Sequence, residues 1–360
     1  MKIHFYKMEG LYDMTKSPVE AIEVKSRNVS DLLEAMSKTG FQGKTLARCV
    51  NVMERMITDP KATILFGYAG SLSTTGQWKI VNWLIEQGFI DILVPTGANI
   101  TEDIVDAMGF DYLQGTHKAD NEKLFDKGLN RYYDVYGKES DYMEMTELIA
   151  EFIMTLDQNY NYSSREFLNL FGHWLWDKNI KSIVATAAHY NVPVFCPAIV
   201  DSPYGDAALI AKSRDFSLTL DGVKDYVEFM SLGENVKDTG VVYIGGGVPK
   251  DFIQLFAVTG DLLYEEREIP GRKNAQTREG TDETYYPHRY AVQITADAPQ
   301  WGGLSGCTFE EAVSWGKEDP SGKFVQCYCD ATIALPIIAH ALEERIADKR
   351  ANRKLTGNFG

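Results

Sequence analysis

Short apolar runs closed by turn residues recur along the chain: ATILFGYAG (62–70), DILVPTGAN (91–99), VPVFCPAIV (192–200), GVVYIGGGV (240–248), YAVQITADA (290–298) and FVQCYCDAT (324–332). Runs of this length without strict alternation read as strands buried on both faces. Between most of them the pattern changes to helical spacing, as in QWKIVNWLIEQG (77–88) and SIVATAAHYN (182–191). That alternation predicts an α/β fold with a largely parallel sheet and helices on both faces. A last helix is expected in IALPIIAHALEERIADKRANRKL, whose basic end suits a helix C-terminus.

Two stretches break the pattern. Residues 117–147 are polar and irregular, and residues 260–289 are charged, turn-rich and without a period, as in a long surface loop. Neither resembles a domain linker, so residues 1–360 are expected to form one domain, with 1–30 as a peripheral N-terminal segment. No internal repeat or low-complexity tract is present.

Composition narrows the class. The 360 residues are 44% hydrophobic and 12% aromatic, enough to pack a core and too much for a disordered chain. No run approaches the roughly 20 apolar residues of a membrane span, and MKIHFYKMEG lacks the apolar stretch of a secretory signal. Five cysteines (Cys49, Cys196, Cys307, Cys327, Cys329) are an odd number and fit a reducing compartment, so a cytoplasmic protein is expected. No Cys/His cluster completes a metal site. The net charge of −15 repels nucleic acid and suits a cationic partner, although acidity also serves solubility.

Candidate chemistry gathers at the predicted strand ends. GYAGSLSTTG (67–76), PTGANITED (95–103) and YIGGGVPKD (243–251) are small-residue turns where backbone N–H groups approach a phosphate or ribose. Tight turns need glycine in any case, and none of the three is a G-x-G-x-x-G fingerprint. TGFQGKT (39–45) ends like a P-loop, but Lys38 stands where its first glycine is required, so a helix start is the better reading. VDSPYGD (200–206) puts Asp201 and Asp206 in one turn, either as a cation grip or as an Asx-turn before a helix. Asp330 either caps the helix after the last strand or binds a ribose.

EEAVSWGKEDP (310–320) sets Lys317 beside Trp315 and among acids. Lys317 is either an ordinary amine at a helix end or a candidate Schiff-base nucleophile, if the fold desolvates it. The neighbouring acids stabilise the ammonium form, yet they and the indole face also suit a bound polyamine.

SGCTFEEAVSWGKE (305–318) resembles the lysine motif of the deoxyhypusine synthase family. The resemblance continues, in the family's order, through TGFQ (39–42), SLSTTG (71–76), PTGANITED (95–103), PVFCPAIVDSPYGD (193–206), IGGGVPK (244–250) and CYCDAT (327–332). It implies a Rossmann-like NAD-binding fold and an NAD-dependent transfer of the 4-aminobutyl group of spermidine. In that reaction Lys317 carries the four-carbon unit as a Schiff base and passes it to an acceptor amine. The acceptor is a translation-factor lysine or, in homospermidine synthase-type relatives, putrescine. By the same resemblance Gly70, Ser71, Thr74, Thr96, Gly97, Ala98, Glu102, Asp201, Gly247, Thr295 and Asp330 match NAD-binding positions. Asp206, Glu311 and Trp315 match polyamine-binding ones, and a homotetramer with interfacial active sites is expected.

Two departures from the eukaryotic pattern stand out. Asp251 replaces a histidine after the Gly-Gly-Gly turn, and Leu304 replaces an aspartate before Ser305-Gly306. Asp251 is expected to compensate as a polyamine or ammonium partner. The rival readings are a non-catalytic NAD- or polyamine-binding protein on the same fold, and an NAD-consuming deacylase, for which the chain lacks a catalytic histidine in a fitting motif.

Overall fold

The computed structural model describes residues 17–234, 236, 238–264 and 287–346. The elements run α1 (Val29–Ser37), α2 (Phe41–Thr58), β1 (Ala62–Tyr68), α3 (Trp78–Glu86), β2 (Ile92–Pro95), α4 (Asn99–Ala107), β3 (Leu113–Gln114), α5 (Asn121–Asp126), β4 (Leu129–Tyr132) and β5 (Val135–Lys138). They continue with α6 (Glu139–Ile153), β6 (Asn161–Tyr162), α7 (Ser164–Asp177), α8 (Ile183–His189), α9 (Pro203–Ser213), β7 (Thr219–Leu220), α10 (Gly222–Ser231), β8 (Asp238–Ile244), α11 (Gly247–Tyr264), β9 (His288–Thr295), α12 (Phe309–Ser314), β10 (Glu318–Tyr328) and α13 (Ala331–Ile346).

Among the described residues, five strands form a parallel sheet in the order β10-β9-β8-β1-β2. Alternate side chains serve opposite faces, as the two-residue period of a strand requires. Ile64, Phe66, Val242, Ile244, Val292 and Ile294 join a core with α2 and α13. Leu65, Val241, Tyr243 and Ala291 pack instead with Phe229, Ile253, Phe256 and Phe309 from α10, α11 and α12. The α/β architecture read from the sequence is therefore the observed one, with helices covering both faces. No described helix is long and apolar enough to cross a membrane.

Three expectations need correction. VPVFCPAIV is not a full strand: Val194 makes a single bridge to Leu93, with Leu93 N–H donating to Pro193 O and Phe195 N–H to Leu93 O. Pro193 and Pro197 remove the donors a longer ladder would need. The stretch 117–147 is ordered, holding α5, the β4–β5 hairpin and the start of α6. Of the expected loop at 260–289, residues 260–264 extend α11, His288 opens β9, and 265–286 lie outside the described residues.

The predicted C-terminal helix and the helix start in TGFQGKT are both found, as α13 and α2. α13 contains Pro336, which leaves the Thr332 carbonyl without its intrahelical donor. The Gln77 side chain fills that gap at 2.7 Å, tying the start of α13 to the turn after β1.

Candidate active site

Lys317 is positioned by the way α12 ends. Thr308 caps the helix, accepting from Glu311 N–H, and acids occupy the first turn. At the other end Gly316 takes φ 77°, a left-handed conformation that suits glycine. Gly316 N–H donates to Val313 O and Lys317 N–H to Ala312 O, which closes the helix and turns the chain inward. The Trp-Gly-Lys triplet is thus a helix terminator that delivers a lysine into a strand. His288 N–H, at the start of β9, donates to Lys317 O.

The side chain is only 9% exposed. Its Nζ donates to Asp251 Oδ1 at 3.1 Å and lies 4.9 Å from the centre of the Trp315 ring. Asp251 sits in the first turns of α11 and is half exposed, so the pair faces solvent through the carboxylate.

A buried polar layer packs beneath this amine. Lys250 is fully buried, with Nζ donating to Gln293 Oε1 (2.9 Å) and Cys307 O (2.7 Å). Gln293 Nε2 in turn donates to Gly245 O and Ser305 O, and Gln326 Nε2 to Gln293 Oε1 and Cys307 O. These bonds fasten the 305–307 segment, from which α12 and the lysine loop depart. Burial, aided by the nearby Lys317 charge, lowers the Lys250 pKa to about 8. Glu318 points into the core with no exposed surface, and burial raises its carboxyl well above the usual range. Glu318 is therefore sequestered from solvent and is not an open carboxylate available to a substrate. His288, also fully buried, shares a 2.8 Å bond with Thr239 Oγ1, and burial lowers its pKa to about 3.

A second feature lies at the carboxyl ends of the strands. A cavity of about 660 Å³ is lined by the turn after β1 (Gly70, Ser71, Thr74), the ends of β8 and β9 (Gly245, Thr295) and Asp330 at the start of α13. Tyr132, Tyr133 and Asp134 of the β4–β5 hairpin line it as well. Asp330 Oδ1 accepts from Thr332 N–H, so the helix-cap reading of this residue holds, and it faces the cavity as well.

Asn99, fully buried, joins the turns after β1 and β2. Its side chain accepts from Leu72 N–H (3.1 Å) and donates to Thr96 Oγ1 (2.8 Å) and to Gly70 O, while Ser73 Oγ donates to its carbonyl.

The deoxyhypusine synthase family model matches residues 31–342. "Probable deoxyhypusine synthase 2" of Methanosarcina acetivorans is 42% identical over 93% of this chain and 92% of its own. A protein of the same name from Archaeoglobus fulgidus is also 42% identical, over 85% of this chain and 95% of its own. A "Deoxyhypusine synthase-like protein" of Coxiella burnetii is 32% identical over 91% of this chain and 89% of its own. This chain belongs to the deoxyhypusine synthase family. Its homologues are transferases, and so is this enzyme. A solved structure from Entamoeba histolytica, described as a "putative deoxyhypusine synthase", shares the fold with a TM-score of 0.60 at 18% identity, over 90% of this chain and 95% of that one.

The family's motifs fall into two groups in space. Gly70, Ser71, Thr74, Thr295 and Asp330 meet at the cavity, and Thr96 is tied to them through Asn99. Gly97 and Ala98 continue that turn, and a side chain at Gly97 would collide with Ser202, so the Asp201–Ser202 turn packs directly on it. Asp201 is exposed there. Lys317, Trp315 and Asp251 form the other group. Gly247 opens α11, one turn ahead of Asp251.

Three matched residues belong to neither group. Asp206 is exposed in the first turn of α9, and Glu311, exposed on α12, interacts with the Cys307 thiol and with the charge of Lys250 beside the lysine pocket. Glu102 is buried beside Tyr142, where burial raises its pKa to about 7, and it does not line the cavity. Sequence reasoning missed Lys250, Gln293 and Asn99. Lys250 and Asn99 lie inside the matched IGGGVPK and PTGANITED motifs, whereas nothing marks Gln293 except a polar residue in an apolar strand.

Proposed function

We propose that the protein transfers the 4-aminobutyl group of spermidine to an acceptor amine, with NAD as resident redox cofactor and Lys317 as the covalent carrier. The observation that carries this reading is the Lys317 amine, buried yet ion-paired to the half-exposed Asp251 and faced by the Trp315 indole. The motif that delivers it is the family's lysine motif.

The strand-end cavity fits a dinucleotide by its donor set: hydroxyls from Ser71, Thr74 and Thr295, backbone at Gly70 and Gly245, and a carboxylate at Asp330. When bound there, NAD⁺ would take a hydride from spermidine and later return it, leaving a net transfer. The chain's own residues supply the rest. Asp251, at 3.1 Å, accepts the proton that Lys317 must lose before its amine attacks the oxidised substrate carbon. Lys317 then forms a C–N bond as 1,3-diaminopropane leaves, and holds the four-carbon unit as an imine. An acceptor amine displaces Lys317, which recovers its proton from Asp251. Trp315 and Asp251 present a π face and a carboxylate to the cationic substrate. The acceptor is a protein lysine or a small diamine such as putrescine. Asp251, in place of the eukaryotic-type histidine, favours the small cation.

The cavity lining does not include Lys317, Trp315 or Asp251. The Lys317 amine is directed to Asp251, one turn into α11, and not to the strand-end turns that line the cavity. This supports an active site shared between two copies, the cavity of one meeting the lysine of the other. The direct test is to incubate the protein with NAD⁺ and labelled spermidine, reduce with borohydride and map the adduct. Label on Lys317 is expected. An unlabelled Lys317, with Lys317→Ala turning over like the wild type, would refute the assignment.

A further inference from the structure

The β4–β5 hairpin reaches the cavity from outside the central sheet. Tyr132 pairs with Val135, so its turn consists of Tyr133 and Asp134, and all three of Tyr132, Tyr133 and Asp134 line the cavity. Tyr133 has φ 55°, in the left-handed region that bulky side chains rarely adopt. The first position of a two-residue hairpin loop with positive φ is one that glycine ordinarily fills. Burial does not compensate for the strain, because Tyr133 is 66% exposed.

The tip is nevertheless held in place. Arg131 Nη1 donates to Tyr133 O (2.9 Å), while Arg131 Nε donates to Asn121 Oδ1 (2.7 Å). Gly115 N–H donates to Asp134 O (2.7 Å), and the His117 ring stacks against Tyr133 with centroids 5.2 Å apart and planes 13° from parallel. An exposed aromatic ring, kept at a strained position and backed by a second ring, is built to meet something flat. Strain of this kind concentrates at ligand clamps.

On the NAD reading above, two rings compete for this place. The nicotinamide exchanges hydride with substrate and belongs where water is excluded. The adenine does no chemistry and tolerates an open rim. We propose that Tyr133 is the platform on which the adenine of the dinucleotide stacks, with the hairpin tip forming the roof of the cofactor site.

Calorimetric titration with NAD⁺, ADP-ribose and nicotinamide mononucleotide tests this without turnover. Tyr133→Gly and Tyr133→Asn both accept a left-handed backbone and remove the ring, and Tyr133→Phe keeps it. Both ring-deleted variants are expected to bind NAD⁺ and ADP-ribose about tenfold more weakly, with nicotinamide mononucleotide unchanged and melting temperatures at or above wild type. Tyr133→Phe should stay within twofold of wild type. If wild type binds NAD⁺ and the ring-deleted variants bind it equally well, the platform is refuted while the cofactor reading stands. Weakening in only one of the two would mark a backbone effect and also refute it. A wild-type protein with no affinity for NAD⁺ would remove both.

Discussion

The strand-end cavity and the lysine pocket are built on opposite principles. The cavity is open, lined largely by small polar residues at the strand ends with two tyrosines of the hairpin, and shaped by turns that Asn99 ties together. The lysine pocket is compact and charged: one buried amine meets a half-exposed carboxylate, while a buried lysine and a buried glutamic acid side chain lie near it. The first arrangement suits a large polar ligand held by many weak contacts. The second suits one reactive group whose protonation must be controlled. The cavity lining includes no residue of α11 or α12, so a change at Lys317 need not reach the cavity.

The sharpest separation should come from Lys317→Ala. Turnover is expected to fall by roughly three orders of magnitude or more, with NAD⁺ affinity within twofold of wild type by titration. A parallel loss of NAD⁺ binding would mean the two regions are one.

The pocket side also carries a pH signature. His288 has a folded pKa of about 3, below its ordinary value, so the unfolded chain takes up the proton first as pH falls. Its contribution is complete above about pH 6.5 and is lost progressively towards pH 3. Between pH 6.5 and 4 the wild type should lose about 3 kcal/mol more than His288→Gln in denaturant titrations. The comparison with the variant is needed because Glu102 and Asp103, raised to about 7 by burial, shift stability the opposite way in that window. Parallel curves for the two proteins would show that His288 is not desolvated.

On the cavity side, Asn99→Ala strands Leu72 N–H and the Gly70 carbonyl. A cost of about 2 kcal/mol is expected from thermal or denaturant unfolding, with weaker NAD⁺ binding. Unchanged binding would show that the two turns hold their shape independently.

The smallest effect expected is from Asp251→Asn. The rate should fall about tenfold and recover as pH rises, because the amine must then lose its proton to solvent. A pH-independent loss would assign Asp251 to binding alone.

The sequence carries some of this architecture openly and hides the rest. Apolar runs announced the sheet because strands covered on both faces leave no polar positions to confuse the pattern, as in β1 and β8. The same rule misled at 192–200, where apolar residues are buried but Pro193 and Pro197 prevent a ladder. The hairpin at 129–138 was invisible because its residues are only partly buried and its turn uses tyrosine where glycine is the usual signal. The lysine motif was legible as a resemblance, but the direction in which each acid points was not. Glu318 turns into the core and Asp319 away from it because successive residues occupy opposite faces once β10 begins.

The claim that the cavity and the lysine act together across two copies admits one direct measurement. Lys317→Ala keeps the cavity, and Ser71→Trp blocks it while keeping the lysine. Each variant alone should be inactive in spermidine-dependent aminobutyl transfer. Co-expressed in one cell and purified as mixed assemblies, they should recover a substantial fraction of wild-type activity, because some sites then combine an intact cavity with an intact Lys317. Mixed assemblies as inactive as either variant, with both subunits folded and present, would contradict the account.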